Sequence, residues 1–196
     1  MAKSSRRSRS SESGGSRRAY LIVGAVIVAF VAGFIALAVL DARQRSGGAT
    51  GDVKTYDVGQ AGEHTQGEVD YAQNPPAGGE HNPVWQNCGF YGKPVRDESA
   101  VHSLEHGAVW ITYSPDLPQD QIDELRGIAE SQSFILVSPF PDLPSNTPVV
   151  ASAWGKQVGL SGSDDPDLEN FIQAYQQGPQ TPEPGAVCTG GTSATL

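Results

Sequence analysis

GAVWITYSPDLPQDQIDELRGIAESQSFILVS, residues 107–138, holds three elements in a row. From Gly107, the run Ala108 to Tyr113 is apolar, β-branched or aromatic and short enough for a buried strand. Pro118 suits the first position of a helix, and Asp120, Asp123 and Glu124 favour its N-terminal turns. Ile122, Leu125, Ile128 and Ala129 then recur at helical spacing, with Gly127 weakening the run. Phe134 to Ser138 is a second continuous apolar strand, closed by the Pro-rich stretch 139–148. A helical crossover makes two such strands parallel.

Downstream, Thr147 to Val158 reads as a third, longer strand that returns antiparallel. Asp164 or Asp165 caps a last helix opened by Pro166, with Leu168, Phe171, Ile172 and Tyr175 as one apolar stripe and Gly178-Pro179 as its stop. The pattern predicts an α+β domain: a small sheet of about three strands with two helices, in the order β-α-β-β-α. Upstream, Tyr56 to Pro94 is dense in Gly, Pro, Asn and charged residues without a period, and predicts a loop-rich N-terminal lobe over the other face of the sheet.

The chemistry-bearing residues gather where lobe and strand meet. All four His lie between positions 64 and 106, and His81, His102 and His106 surround Cys88. HSLEH at 102–106 matches the H-x-x-E-H pattern of inverted zinc peptidases, in which one helix presents both His and the Glu activates water. Gly107 and a strand follow at once, leaving room for about one helical turn where that chemistry needs a long helix. His102 and His106, four apart, can still chelate a divalent ion with His81 or Glu105 completing the shell, a donor set that suits Zn or Cu(II). The same residues can equally form a hydrogen-bonded network that ties lobe to strand and is purely architectural. A metal-dependent hydrolase with Glu105 as general base is a third reading, and it lacks a further carboxylate ligand. Enzyme activity is not the expectation.

Cys88 and Cys188 are the only cysteines. Outside a membrane they form a disulfide by default. A Cys88 nucleophile beside a His, or a thiolate metal ligand, are the alternatives.

The organisation before the domain follows from charge and hydropathy. Residues 1–18, rich in Ser and Arg, predict a disordered basic cytoplasmic tail. Residues 19–40 form 22 uncharged, mostly apolar positions, long enough for a transmembrane helix. Lys3, Arg6, Arg7, Arg9, Arg17 and Arg18 precede them, so the positive-inside rule puts the N-terminus in the cytoplasm and the rest outside. Ala36-Leu37-Ala38 offers a signal-peptidase site, but the apolar run is long for a cleaved signal. Ala25, Ala29 and Gly33 recur every four residues and would let two spans approach as a homodimer. Residues 41–55 read as a flexible linker, 56–190 as the extracytoplasmic domain and 191–196 as a disordered tail. From residue 46 on, five Lys and Arg face twenty Asp and Glu, which excludes nucleic acid as a partner. An envelope protein or a cation remains compatible with that charge.

PPAGGEHNPVWQNCGFYGKPVRDESAVHSLEHGAVWITY, residues 75–113, resembles the signature of a bacterial family known as domain of unknown function 3105. The matching steps are Pro-Pro, Gly-x-His-x-Pro, Cys-Gly-x-Tyr and Val-His-Ser-Leu-Glu-His-Gly. Ala-Trp-Gly at 153–155 and Pro-Glu-Pro-Gly-Ala-x-Cys at 182–188 extend the likeness over most of the outer domain. The resemblance implies a single-span membrane anchor before the domain. It also implies that His81, Cys88, His102, Glu105, His106 and Cys188 belong to the family motif, and it implies no activity.

Overall fold

The computed structural model describes residues 20–24, 27, 30–33, 52–144 and 146–196. The chain divides into two units, Met1–Gln44 and Arg45–Leu196. In the first, residues 20–24, 27 and 30–33 are helical. The expected span 19–40 otherwise falls outside the described residues, as do the tail 1–18 and most of the linker 41–55. Among the described residues no helix is long and apolar enough to cross a membrane. The expected fold is corrected on this point: the span rests on hydropathy, and no described helix is long and apolar enough to provide it.

The second unit is built on one six-stranded mixed sheet, where the sequence predicted about three strands. The strands are β1 (Lys54–Thr55), β2 (Gly89–Phe90), β3 (Val109–Tyr113), β4 (Ile135–Pro139), β5 (Val149–Ala153) and β6 (Lys156–Leu160), in the spatial order β1-β6-β5-β3-β4-β2. The helices of this unit are α1 (Asp97–Glu105), α2 (Gln119–Ser131) and α3 (Pro166–Tyr175). β2, β4 and β3 run parallel, with Phe90 opposite Val137 and Tyr113 opposite Pro139. β5 and β6 are antiparallel, and β1 pairs antiparallel with β6.

Each correction has a local cause. The single strand expected over Thr147–Val158 is a hairpin, because Ala153 pairs with Lys156 across Trp154-Gly155 and Gly155 takes a φ of +66°. β1 and β2 have two residues each, too few to show a period. α1 has nine residues where about one turn was expected, since its apolar stripe is only Ala100, Val101 and Leu104 and the polar Glu98, Ser99, His102, Ser103 and Glu105 are buried beside it.

Strand alternation splits the core into two layers. Val109, Ile111, Tyr113, Ile135, Val137, Val149 and Ala151 face α2 and α3, meeting Leu125, Ala129, Leu168, Phe171 and Ile172. Asp165 caps α3 by accepting from the Asp167 N–H at 3.1 Å. On the opposite face Trp110 and Leu136 pack with Ala100, Val101 and Leu104 of α1, Phe140 and Trp154. That face also buries hydroxyls and an amide, each with a partner: Trp110 Nε1 donates to Ser138 Oγ at 3.0 Å and Gln157 Nε2 to Ser152 Oγ at 2.9 Å. A nine-residue helix gains little by itself. The lobe therefore holds α1 in place: Asn82 N donates to Glu98 O at 3.1 Å, Gln86 N to Ser99 O at 2.9 Å and Ser103 Oγ to Gln86 O at 2.6 Å.

Candidate metal centre

The end of α1 presents two of the four converging donors. His102 and Glu105 are three apart and share a face of the helix. The helix then stops: Gly107 N donates to Leu104 O at 3.0 Å and Ala108 N to Ser103 O at 2.9 Å, with Gly107 at φ +96°. This is a Schellman closure, which needs a left-handed residue and so a glycine. His106 sits at the cap rather than on the helix.

The lobe delivers the other two donors. His64 and His81 form an isolated parallel bridge, with Thr65 N donating to His81 O at 2.8 Å and His81 N to Glu63 O at 3.0 Å. Donor atoms of His64, His81, His102 and Glu105 all lie within 4.8 Å of one another. His64 is exposed and the other three are buried. The rings are in contact: His64 stacks on His102 at 5.1 Å between centroids, and His81 meets both edge-on at 4.8 Å.

Hydrogen bonds fix the orientation of the imidazoles. Nδ1 of His81 lies 2.7 Å from Gly79 O, Nδ1 of His102 2.6 Å from Asn82 O and Nδ1 of His106 2.7 Å from Val187 O. A carbonyl only accepts, so each Nδ1 carries the proton and each Nε2 of a neutral ring is a bare lone pair. This is the arrangement that orients metal-binding histidines. Glu105 Oε1 accepts from Gly62 N at 2.6 Å, which leaves Oε2 facing His81 Nε2 at 2.9 Å.

The electrostatics follow from burial and these contacts. Burial pushes the His102 pKa down to about 4; the Asn82 carbonyl opposes the shift, and positive charge on His106 and His81 adds to it. His102 is therefore neutral near pH 7, as a ligand must be. Burial also works against charge on His81, but the hydrogen bond to Glu105, the Gly79 carbonyl and the Glu105 charge hold its pKa above the ordinary value. For Glu105, burial raises the pKa, and the His81 bond, the Gly62 N–H and the His81 charge outweigh it and lower it. His81 and Glu105 thus stabilise one another's charged forms.

Of the residues singled out from sequence, His81, His102 and Glu105 come together and His106 does not join them. Its Nε2 faces Glu183 Oε2 at 3.5 Å, although its ring touches that of His102 at 4.6 Å. The His106 ring is held by Val187 O and Glu183 instead, so the two-histidine geometry of H-x-x-E-H does not form. His64 was missed. It lies in an aperiodic stretch, and the one signal for it was that all four His fall within 43 positions. Cys88 and Cys188 are joined in a disulfide with Cα atoms 5.4 Å apart, so neither sulfur is a nucleophile or ligand.

No curated protein and no solved structure matches the chain. A family model matches residues 63–190, which include all four donors and both cysteines of the bridge. Because that stretch spans more than half of the sequence, the chain belongs to the family described as protein of unknown function (DUF3105).

Proposed function

We propose that the domain binds one divalent transition-metal ion, Zn(II) or Cu(II), through His64, His81, His102 and Glu105. One observation carries this reading. His81 Nε2 and Glu105 Oε2 lie 2.9 Å apart, both residues are wholly buried, and neither atom has another hydrogen-bond partner. With Nδ1 already donating to Gly79 O, Nε2 carries no proton in the neutral ring, and two lone pairs then face each other. Positive charge must stand between or beside them, supplied by a second ring proton or by a metal ion. Two further donors reach the same point, which a proton alone does not require.

The donor set narrows the ion. Imidazoles with a carboxylate suit Zn(II) and Cu(II). Soft sulfur, which selects Cu(I), is absent from the group, and the disulfide supports an oxidising, extracytoplasmic setting. A tetrahedral ion bonded at about 2.1 Å separates its ligands by roughly 3.4 Å, so on loading the wider-spaced donors draw inward while the His81–Glu105 pair opens slightly. His64 is the arm with the most freedom to move.

The test is metal content of the full chain after loading and dialysis. The expected result is one equivalent of Zn or Cu, lost in H81A/H102A and reduced in H64A. Failure of the folded wild type to retain stoichiometric metal would sink the proposal. A second reading has its own support, since edge-to-face ring packing and an imidazolium–carboxylate pair also make a coherent architectural network. It predicts that the wild type takes up no stoichiometric metal and that H64A and H81A/H102A lower stability by breaking the ring contacts.

A further inference from the structure

A second feature lies away from the histidines. A cavity of about 460 Å3 opens at the carboxyl ends of the parallel strands. Phe90, Tyr113 and Pro139, the last residues of β2, β3 and β4, line it together with Gln119 and Arg126 of α2 and with Lys93. Its volume is that of a small-molecule site.

The charge of this cavity runs against the rest of the domain. From residue 46 on, the chain holds five Lys and Arg against twenty Asp and Glu. Two of those five cations line this one cavity, and none of the lining residues is acidic. The Arg126 guanidinium carbon lies over the Phe90 ring, 3.9 Å from its centroid, and the Phe90 ring is within 10° of parallel to that of Tyr113. The cation–ring contact holds the guanidinium in place, and its N–H groups can still donate to a carboxylate. Asp123 is its nearest acid, at 3.9 Å from Nε, beyond hydrogen-bonding range.

We propose that this crevice binds a small organic carboxylate with a flat apolar body. The carboxylate takes the guanidinium edge of Arg126 in two parallel hydrogen bonds, with Lys93 adding charge, and the body lies against Tyr113 and the adjoining prolines. The apolar wall alone would accept any hydrophobe. The paired cations in an acidic domain select the anion.

Titration of the 15N-labelled full chain with benzoate, followed by amide shifts, tests this. Shifts centred on Phe90, Tyr113 and Arg126 are expected, saturating in the millimolar range, with Lys156→Gln behaving as wild type. Arg126→Leu should weaken the response about tenfold, the value of one lost charge-assisted pair. Lys93→Gln gives an independent smaller loss if Arg126→Leu perturbs α2. Benzamide matching benzoate would show that charge is irrelevant, and inorganic phosphate matching it would show that the flat body is. Either result, or shifts that map elsewhere or never appear, overturns the proposal.

Discussion

Asp97 and Glu98 stand side by side at the start of α1 and ionise in opposite senses. Glu98 accepts from Arg96 at 2.8 Å and from the Val69 N–H at 2.9 Å, contacts that overcome burial and lower its pKa. Asp97 has its pKa pushed up to about 6, first by burial and then by Glu98. A carboxyl that binds its proton more tightly when folded contributes nothing unfavourable below pH 3.8, and its ionisation lowers stability as pH rises from there to 6. Asp97→Asn should therefore stabilise the protein by about 1 kcal/mol at pH 7.5, the helix N-terminus offsetting part of the shift. The gain should vanish at pH 3.5. Urea midpoints of both proteins at the two pH values check this, and an equal gain at both would refute the assignment. Glu105 is the opposite case, wholly buried and low in pKa because His81 faces it. Glu105→Gln keeps the shape and removes the charge, so metal retention should fall about tenfold or more while His102 stays neutral. An unchanged metal content in E105Q would remove Glu105 from the ligand set. Three of the four donors were legible in the sequence because His and Glu cluster around one motif. His64 was not, because the bridge that brings it to His81 is a backbone contact with no side-chain pattern.

At the junction of α1 and β3 the conformational demand falls on Gly107. A Cβ there would lie 3.0 Å from the Thr181 side chain and 3.1 Å from Gln177 Cα, at a φ of +96°. Gly107→Ala should cost about 2 kcal/mol, from left-handed strain plus crowding. It should also weaken metal retention, since Glu105 is two residues upstream. Denaturation midpoint and metal content measured on one preparation check both parts; a stable variant with full metal would show that the closure is pliable. The elements on either side differ in how plainly they were written. β3, α2 and β4 were legible because each matches a single period and Pro and Gly punctuate them. The β5–β6 hairpin was not, because Ala153-Trp154-Gly155 joins two apolar runs without the usual polar turn pair. α1 was hidden for a chemical reason: its apolar side is short, Ala100, Val101 and Leu104, and the His and Glu of the site are buried next to it, which dilutes the period.

Across the whole domain, the bridge between Cys88 and Cys188 closes a loop with a sequence separation of 100. Around it the C-terminal segment is tied to the lobe by Cys88 N to Cys188 O, Asn87 N to Thr192 O and Leu196 N to Pro94 O, each at 2.8 Å. The segment also reaches the site, because Val187 O holds the His106 ring and Glu183 N donates to Glu105 O at 3.2 Å. Loop-closure entropy puts the bridge at roughly 4 to 5 kcal/mol, with measured values often lower. C88S/C188S should therefore unfold at markedly lower urea, by about 3 kcal/mol. It should still retain one equivalent of metal while folded, because all four donors lie between residues 64 and 105 and the lobe that carries His64 and His81 is tied to α1 by Asn82 N to Glu98 O and Gln86 N to Ser99 O. If the folded double variant loses its metal, the bridge shapes the site through Val187 and His106. The centre would then depend on the oxidised state of the chain, and His106, though outside the converging group, would be what conveys that dependence to His102 through their ring contact.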